Sequence, residues 1–258
     1  MNKRIPILLT AFALLLLAPL VALAQQQEEP PTFTYVSEWA VPRAQWADWV
    51  AYAEKNTKPI FDKLLADGTI ISWGTYATIV HDESGITHGF WFEASSIAGI
   101  ERVIGETIKV YTAPLISTAT KHRDYLLRSP LRRSKAASGA NGYLWVSANQ
   151  VQPGKGQEWR EMFDKYSKPV YDELLANGTI LAYWIDVEQV HTDNPGWRYV
   201  VYLTPNADAL AKVSAAFEAA GQKRGVDANR GISRSFADIT VAGTHRDFFA
   251  RVTHYAQK

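Results

Sequence analysis

The sequence predicts an α+β protein built from two tandem copies of a βαββαβ unit, and three observations support this prediction. The chain has 258 residues and is 47% hydrophobic, which is typical of a folded protein rather than a disordered one. A long segment recurs in it at a constant offset of 110 residues. Within each copy, segments with the period of a strand and segments with the period of a helix alternate in the same order.

The repeat is clearest in one stretch of each copy. Residues 58–71 read KPIFDKLLADGTII, and residues 168–181 read KPVYDELLANGTIL. The same offset of 110 pairs Tyr76 with Asp186, so the copies also differ at defined positions. A duplication of this length predicts two structural units rather than one large domain.

A second match lies near the end of each copy. Residues 120–128 (TKHRDYLLR) resemble residues 243–251 (GTHRDFFAR), but here the offset is 123. The second copy therefore contains an insertion of 13 residues, which we place near residues 221–234. Between the copies, residues 129–142 are polar and small, and they predict a linker.

The elements of each copy follow from periodicity and turn chemistry. An aromatic, β-branched strand comes first, and a helix with apolar residues at i, i+3, i+4 and i+7 follows it. Pro59 and Pro169 predict a kink or restart in these helices. Gly68 and Gly178 predict their ends, since glycine adopts positive φ at little cost. The predicted strands are residues 35–41, 70–80, 87–94 and 117–127, then 143–151, 180–190, 197–204 and 238–250; turns lie at 82–86 and 192–196, and second helices at 97–110 and 207–220.

This order of elements is that of a ferredoxin-like unit, whose sheet carries helices on one face only. The other face needs a partner, and a tandem copy in the same chain supplies one. The predicted organisation is a signal peptide at residues 1–24, a disordered lead at 25–33, a first repeat at 34–128, a linker at 129–142 and a second repeat at 143–258.

The N-terminal segment has the features of a secretory signal. Lys3 and Arg4 precede an apolar run at residues 8–17, and residues 22–24 (ALA) fit a small-x-small cleavage site. We therefore predict an exported protein, periplasmic or secreted, that is free of the membrane after cleavage. An uncleaved N-terminal anchor stays open as an alternative, since residues 5–24 could just span a bilayer.

Charge and composition exclude several classes of function. Loss of Lys3 and Arg4 with the leader changes the formal charge from +1 to −1, whereas nucleic-acid or anionic-membrane partners call for a basic excess. The absence of cysteine excludes disulfides, iron–sulfur clusters and thiol catalysis. No zinc, EF-hand or phosphate-loop motif is present, so we predict no metal or cofactor. Homo-oligomerisation is left open.

An H-R-D tripeptide occurs on the fourth strand of each copy, at residues 122–124 and 245–247. The period of two places histidine and aspartate on one face and arginine on the other. A carboxylate beside a histidine can orient it as a general base. The alternative is a structural polar network at the junction of the two units. The candidate catalytic residues are His122, Asp124, His245 and Asp247.

Aromatic side chains are abundant on the predicted strands, among them several of the nine tryptophans. Alternation sends about half of them to each face, where they either fill the barrel or line an apolar cavity between the sheets. Asp186 and Glu188 share a face with Trp184, which indicates an asymmetric polar site or a solvated strand end. The candidate ligand-binding residues are Trp73, Tyr76, Trp184, Asp186, Arg123 and Arg246.

Two such units joined face to face resemble the dimeric α/β-barrel superfamily in a fused, single-chain form. The KP-x-x-D-x-L-L-A-[DN]-G-T-I stretch is similar to one in exported bacterial members, and related families are antibiotic-biosynthesis-monooxygenase-like, muconolactone-isomerase-like, NIPSNAP-like and chlorite-dismutase-like. The resemblance implies a site in the space enclosed by the sheets. Members that bind haem use a helical histidine, and no histidine lies on a predicted helix of this chain.

The predicted function is binding of a small apolar or aromatic ligand between the two sheets, with cofactor-independent monooxygenase- or isomerase-like chemistry. The alternative is a non-enzymatic binding or assembly module.

Overall fold

A computed structural model of the chain describes residues 30–81, 85–191 and 195–258. The predicted signal peptide, most of the predicted lead and the centres of the two predicted turns lie outside these residues. The described strands are β1 (Thr32–Trp39), β2 (Ser72–Thr78), β3 (His88–Ala94), β4 (His122–Ser134), β5 (Ala137–Gly139), β6 (Gly142–Gln150), β7 (Ala182–Glu188), β8 (Trp197–Thr204) and β9 (Arg246–Gln257).

Six of the seven described helices follow the order expected from the sequence, and α7 was not predicted. The seven helices are α1 (Trp46–Tyr52), α2 (Lys58–Ala66), α3 (Ile97–Tyr111), α4 (Gly156–Tyr166), α5 (Lys168–Ala176), α6 (Ala207–Arg224) and α7 (Val226–Ile239). A π-helical turn at Ala53–Thr57 joins α1 to α2. Among the described helices, none is both long and apolar enough to cross a membrane.

Eight antiparallel strands close into a barrel in the order β2-β3-β1-β4-β7-β8-β6-β9, with β9 pairing back to β2. The first four strands of this order, β2-β3-β1-β4, come from the first half of the chain, and the other four from the second half. Both halves have the same internal order of strands. The short strand β5 pairs with the C-terminal end of β9, past the residues of β9 that pair with β6.

Helix termini form at equivalent points in the two halves. Pro59 and Pro169 lie in the first turns of α2 and α5. The backbone N–H that proline lacks would have no partner within the helix at this position, so both helices can restart there. Gly68 and Gly178 follow these helices with φ of 82° and 79°. Ser96 caps α3 by accepting a hydrogen bond from the Gly99 N–H.

The apolar residues form three clusters. One lies between the helices and the outer face of the first-half sheet and contains Phe61, Trp73 and Phe92. Its counterpart in the second half contains Phe163 and Tyr183. The third cluster lies on the inner face of the barrel and mixes residues of both halves, including Tyr76, Trp91, Trp184, Val201 and Tyr255.

The structure changes several predicted boundaries. Thr32 and Phe33, placed in the lead, begin β1 because they pair with β4 and Phe33 also pairs with β3. The fourth strands begin at His122 and Arg246, since the residues before them form a 3-10 turn at Ile116–Thr118 and the end of α7. The insertion near residues 221–234 extends α6 and forms most of α7.

The predicted linker at residues 129–142 is mostly strand. β4 continues to Ser134 and pairs with β1 up to Ser129 and with β7 from Leu127 onward, with a bulge in the pairing with β7 between Arg128 and Leu131. Pro130 lies at this bulge, where a missing N–H is tolerated. Leu131 then packs in the second-half cluster. Because the segment is polar, its sequence did not indicate that it joins the strands of the first half to those of the second half.

Candidate functional site

The barrel encloses a cavity of about 500 Å³ between its two sheets. Residues of all eight barrel strands face it. The wall combines aromatic and aliphatic side chains with a few charged groups, which is the usual make-up of a small-molecule site. The residues that line the cavity include Glu38, Tyr76, Trp91, Arg123, Ala148, Trp184, Asp186, Trp197, Tyr199 and Arg246.

Two glycines on the first-half strands make room for the rings inside the barrel. A Cβ at Gly74 would lie 2.1 Å from the Trp91 ring, and a Cβ at Gly89 would lie 2.5 Å from the Tyr76 ring. Glycine in a strand interior is otherwise unfavourable, so its use here indicates a close approach of side chains. These glycines therefore allow Trp91 and Tyr76 to lie flat across the sheet.

A row of four residues crosses the first-half sheet at one level. Arg123 pairs in register with Glu38, Glu38 with Gly89, and Gly89 with Tyr76. The Arg123 Nε lies 2.7 Å from Glu38 Oε2, and the Tyr76 hydroxyl donates to Glu38 Oε1 at 2.8 Å. Glu38 is buried, so this first row is a closed network in which each charge has a partner.

The equivalent row of the second half has different chemistry. Arg246 pairs in register with Ala148, Ala148 with Tyr199, and Tyr199 with Asp186. At the offset of 110, Ala148 stands where the first row has a glutamate, and Asp186 where it has a tyrosine. The second row therefore has no carboxylate beside Arg246, and its carboxyl group, that of Asp186, lies three strands away. This second row makes the cavity asymmetric.

Asp186 is the buried acid of the cavity, with 2% of its surface exposed. Its Oδ1 accepts a hydrogen bond from the Ser129 hydroxyl, and its Oδ2 accepts one from the Trp184 indole N–H at 2.8 Å. Burial, with a smaller contribution from the charge of Glu93, raises the pKa of Asp186 to about 7, although these hydrogen bonds act to lower it. A carboxyl with such a pKa can exchange a proton near neutral pH.

A second buried acid lies in an ion pair close by. Arg132 Nη1 lies 2.5 Å from Glu93 Oε2, and both side chains are almost fully buried. Ser72 donates to the same oxygen of Glu93 at 3.1 Å. The Arg132 guanidinium also lies over the Trp184 ring, 5.5 Å from its centroid. These contacts fix the Trp184 ring and connect β4, the strand that pairs with the second half, to β3.

Most of the predicted ligand-binding residues face the cavity. Tyr76, Trp184, Asp186, Arg123 and Arg246 all line it. Trp73 does not, and its prediction as a ligand-binding residue is corrected here. It lies on the opposite face of β2 and packs against Phe61 and Phe92 beneath the helices, with 1% of its surface exposed. The period of two predicts opposite faces for residues 73 and 76, but it does not tell which face is enclosed.

The predicted catalytic residues of the first half lie outside the barrel, on the face of β4 opposite to Arg123. His122 Nε2 is 2.9 Å from Ser37 Oγ, and this hydroxyl donates to Asp124 Oδ1 at 2.5 Å. The His122 ring stacks on Trp39 with 4.9 Å between centroids. His122 and Asp124 line a groove of about 410 Å³ between the sheet and α3.

The second half repeats this cluster at the corresponding positions. His245 Nε2 is 3.1 Å from Ser147 Oγ and 3.4 Å from Asp247 Oδ1. Asp247 reaches the rim of the barrel cavity, whereas His122, Asp124 and His245 do not line it. The structure therefore brings each histidine to its aspartate and to a serine, but it does not bring the two pairs together.

The remaining described histidines lie on strands or beside them. His88 is buried on β3 and packs near Trp46 and Trp49; burial lowers its pKa to about 4, so it is neutral. His81 and His191 are exposed at the ends of the second strands. No histidine lines the cavity, so its residues offer haem no histidine ligand. Among the described residues, no cluster of three or more His, Cys, Asp and Glu could hold a metal ion.

Sequence reasoning missed several residues of the site. Glu38, Trp91 and Tyr199 face the cavity and were not among the candidates. The offset of 110 contained a signal, because it pairs Glu38 with Ala148 and Gly89 with Tyr199, both large changes in chemistry. A search for such differences between the copies finds the site better than a search for what they share.

Several solved structures have a similar fold. A putative monooxygenase from Lactobacillus acidophilus superimposes with a TM-score of 0.63 and 13% identity, over 89% of this chain and 97% of that chain. A putative monooxygenase from Fusobacterium nucleatum gives a TM-score of 0.64 and 9% identity, over 88% and 94%. An anthrone oxidase-like protein gives 0.55 and 13%, over 89% and 94%.

The chain shares its fold with these solved structures, and at 9–13% identity the likeness extends to the fold alone. No protein-family model matches the chain, and no curated protein matches it.

Proposed function

We propose that the barrel cavity binds a small aromatic ligand and that the protein carries out cofactor-independent, monooxygenase- or isomerase-like chemistry on it. The observation that carries this proposal is the asymmetric cavity itself. Aromatic rings and an ionisable, buried carboxyl face the same enclosed space. The barrel fold shared with proteins described as monooxygenases supports it.

Trp91 and Trp184 supply the aromatic surface for such a ligand. Their ring centroids are 6.4 Å apart, and both rings are buried. Planar ligands gain from offset or edge contacts with rings at this kind of spacing. Because Arg132 and Asp186 fix Trp184 from two sides, the surface is preorganised rather than formed on binding.

Asp186 is the proposed general base. Oxygenation of an acidic aromatic compound and isomerisation both start with removal of a proton from the ligand, and a base with a pKa near the working pH does this best. Tyr199, next to Asp186 in the second row, stays a neutral hydroxyl because burial raises its pKa, with the charge of Glu188 adding to this. It can donate a hydrogen bond to the ligand oxygen.

Cavity filling tests the location of binding. Calorimetric titration with 2-naphthol, 2-naphthamide and 2-naphthoate supplies neutral and anionic aromatic probes. Ala148→Phe places a ring in the cavity and should abolish binding of every probe, whereas Ala51→Phe on the exposed side of α1 should leave it unchanged. Binding that survives Ala148→Phe would refute a site in the barrel.

A second candidate function is a non-enzymatic binding or assembly module, and one specific observation favours it. The Ser–His–Asp cluster recurs on the outer face of both halves, where about half of each histidine side chain is exposed. In this case His122→Ala and His245→Ala would change the sedimentation behaviour of the protein and leave probe binding and turnover intact. The enzyme proposal predicts loss of turnover in Asp186→Asn instead.

We further propose that the barrel consists of two ferredoxin-like units from a tandem duplication, and that the protein is exported. The equal strand order of the halves and the repeated sequence support the first point. Lys3, Arg4 and the small residues at 22–24 support the second. Mass spectrometry of protein recovered from cell fractions tests export: a mature chain starting at Gln25 outside the cytoplasm is expected, and an intact Met1 chain in the cytoplasm would contradict it.

A further inference from the structure

We propose that Arg246 recognises an anionic group on the ligand, so that the barrel selects aromatic carboxylates over neutral aromatic compounds. This inference rests on the proposed function and adds a ligand class to it. The two arginines of the H-R-D motifs both line the cavity. They differ in the residue that lies beside each of them on the neighbouring strand.

The difference comes from a single position in the neighbouring strand. Arg123 pairs in register with Glu38, and its guanidinium binds that carboxylate at 2.7 Å. Arg246 pairs in register with Ala148, which has no polar atom in its side chain. Among the described residues, Arg246 therefore has no carboxylate partner, and a guanidinium beside an apolar wall leaves its donors available to a ligand.

Two other charged groups of the cavity wall have partners of opposite charge: Glu38 binds Arg123, and Glu188 interacts electrostatically with Arg198. Asp247 lies 3.4 Å from His245, and Asp186 accepts its hydrogen bonds from Ser129 and Trp184. Of the two described arginines that line the cavity, Arg246 is the one with no carboxylate at ion-pair distance. A carboxylate fits the planar fork of its donors better than a monatomic or spherical anion does.

Trp197 holds this guanidinium in place. The Arg246 Cζ lies 5.8 Å from the centroid of the Trp197 ring, and Trp197 itself lines the cavity. Stacking of this kind limits the positions that the guanidinium can take, so less freedom is lost when an anion binds. The arginine is therefore prepared for its ligand at the start of β9.

The second row also gives the ligand an orientation. Arg246 and Asp186 stand at opposite ends of this row, three strands apart, which is roughly 14 Å along the sheet at the usual strand spacing. A carboxylate bound at Arg246 places the aromatic ring over Tyr199 and toward Trp184. The far side of the ring then meets Asp186.

The test compares 2-naphthoate with 2-naphthamide, which has the same shape and no charge, by calorimetric titration at pH 6. The intact protein should bind naphthoate about tenfold more tightly, as expected for a charge-assisted hydrogen bond. Arg246→Gln should remove this preference and leave the affinity for naphthamide unchanged, and Arg246→Lys should restore part of it.

Arg251→Gln is the matched control, because Arg251 lies on the same strand, stacks on Tyr143 and points to the opposite face. It should keep the full preference for naphthoate. Equal binding of both probes by the intact protein, or equal weakening of both by Arg246→Gln, would overturn the inference while leaving a site in the barrel. Failure of both probes to bind would overturn the proposed function and the inference with it.

Discussion

At the scale of single residues, the two rows differ in the side chain beside the arginine. The first row keeps Glu38 between Arg123 and Tyr76, and its hydrogen bonds are satisfied within the protein. The second row replaces this acid by Ala148. The polar groups of the first row are therefore paired with one another, whereas Arg246 of the second row faces an alanine on the neighbouring strand.

Asp186→Asn tests the buried carboxyl of the second row. The folded pKa of about 7 lies above the usual 3.8, so the folded protein holds a proton that the unfolded chain releases. Wild-type stability should therefore fall as pH rises from about 4 to about 7 and then level off, by a few kcal/mol at most. Urea unfolding of both proteins over this range should show that the Asn variant lacks this fall; a parallel pH dependence would contradict the burial of an ionisable Asp186.

Glu38→Gln tests the closed network of the first row. The substitution keeps the shape but removes the charge that offsets Arg123, and it weakens the acceptor for the Tyr76 hydroxyl. The free energy of unfolding should drop by about 1–3 kcal/mol, as for other broken buried networks. Thermal and urea unfolding measure this. An unchanged free energy of unfolding would show that this network does not stabilise the fold.

At the scale of elements, the strands of the first half depend on glycine where the rings cross them. Gly74→Ala would place a Cβ 2.1 Å from the Trp91 ring, so β2 or the ring must move. We expect a loss of about 1–3 kcal/mol in the free energy of unfolding, as for overpacked cores, together with weaker binding of aromatic probes.

Gly105→Ala on α3 is the control for this substitution, because nothing lies within 4 Å of the Cβ that it adds. Alanine favours the helix, so this variant should be slightly more stable than the wild type, by about 0.5–1 kcal/mol. Equal effects of the two substitutions would contradict the close approach at Gly74.

The elements also show what sequence patterns can and cannot give. The order of strands and helices followed from periodicity, and Gly68 and Pro59 marked helix ends as expected. The pairing of β4 with β7 did not follow, because residues 129–134 look like a linker. They belong to β4 through the pairing of Ser129 with β1 and of Leu131 to Ser134 with β7. A local pattern could not predict whether Trp73 faces the barrel interior either, because the face of β2 that lies inside the barrel depends on how the two halves join.

At the scale of the whole molecule, the seams make the two halves one unit. β4 pairs with β7, β9 pairs with β2, and the inner cluster mixes side chains of both halves. We therefore predict that urea unfolds the barrel in one transition, seen at the same midpoint by circular dichroism and by tryptophan fluorescence. Two separate midpoints would show that the halves unfold independently.

The barrel cavity and the outer groove would offer different surroundings to an aromatic ligand. The barrel cavity contains Trp184, Asp186 and Arg246, and the outer groove contains His122 and Asp124. The most direct test of the central claim is a crystal structure of the protein with 2-naphthoate. The account predicts the naphthalene ring beside Trp184 inside the barrel, with its carboxylate on Arg246. A naphthoate bound in the groove beside His122, with no ligand inside the barrel, would contradict it.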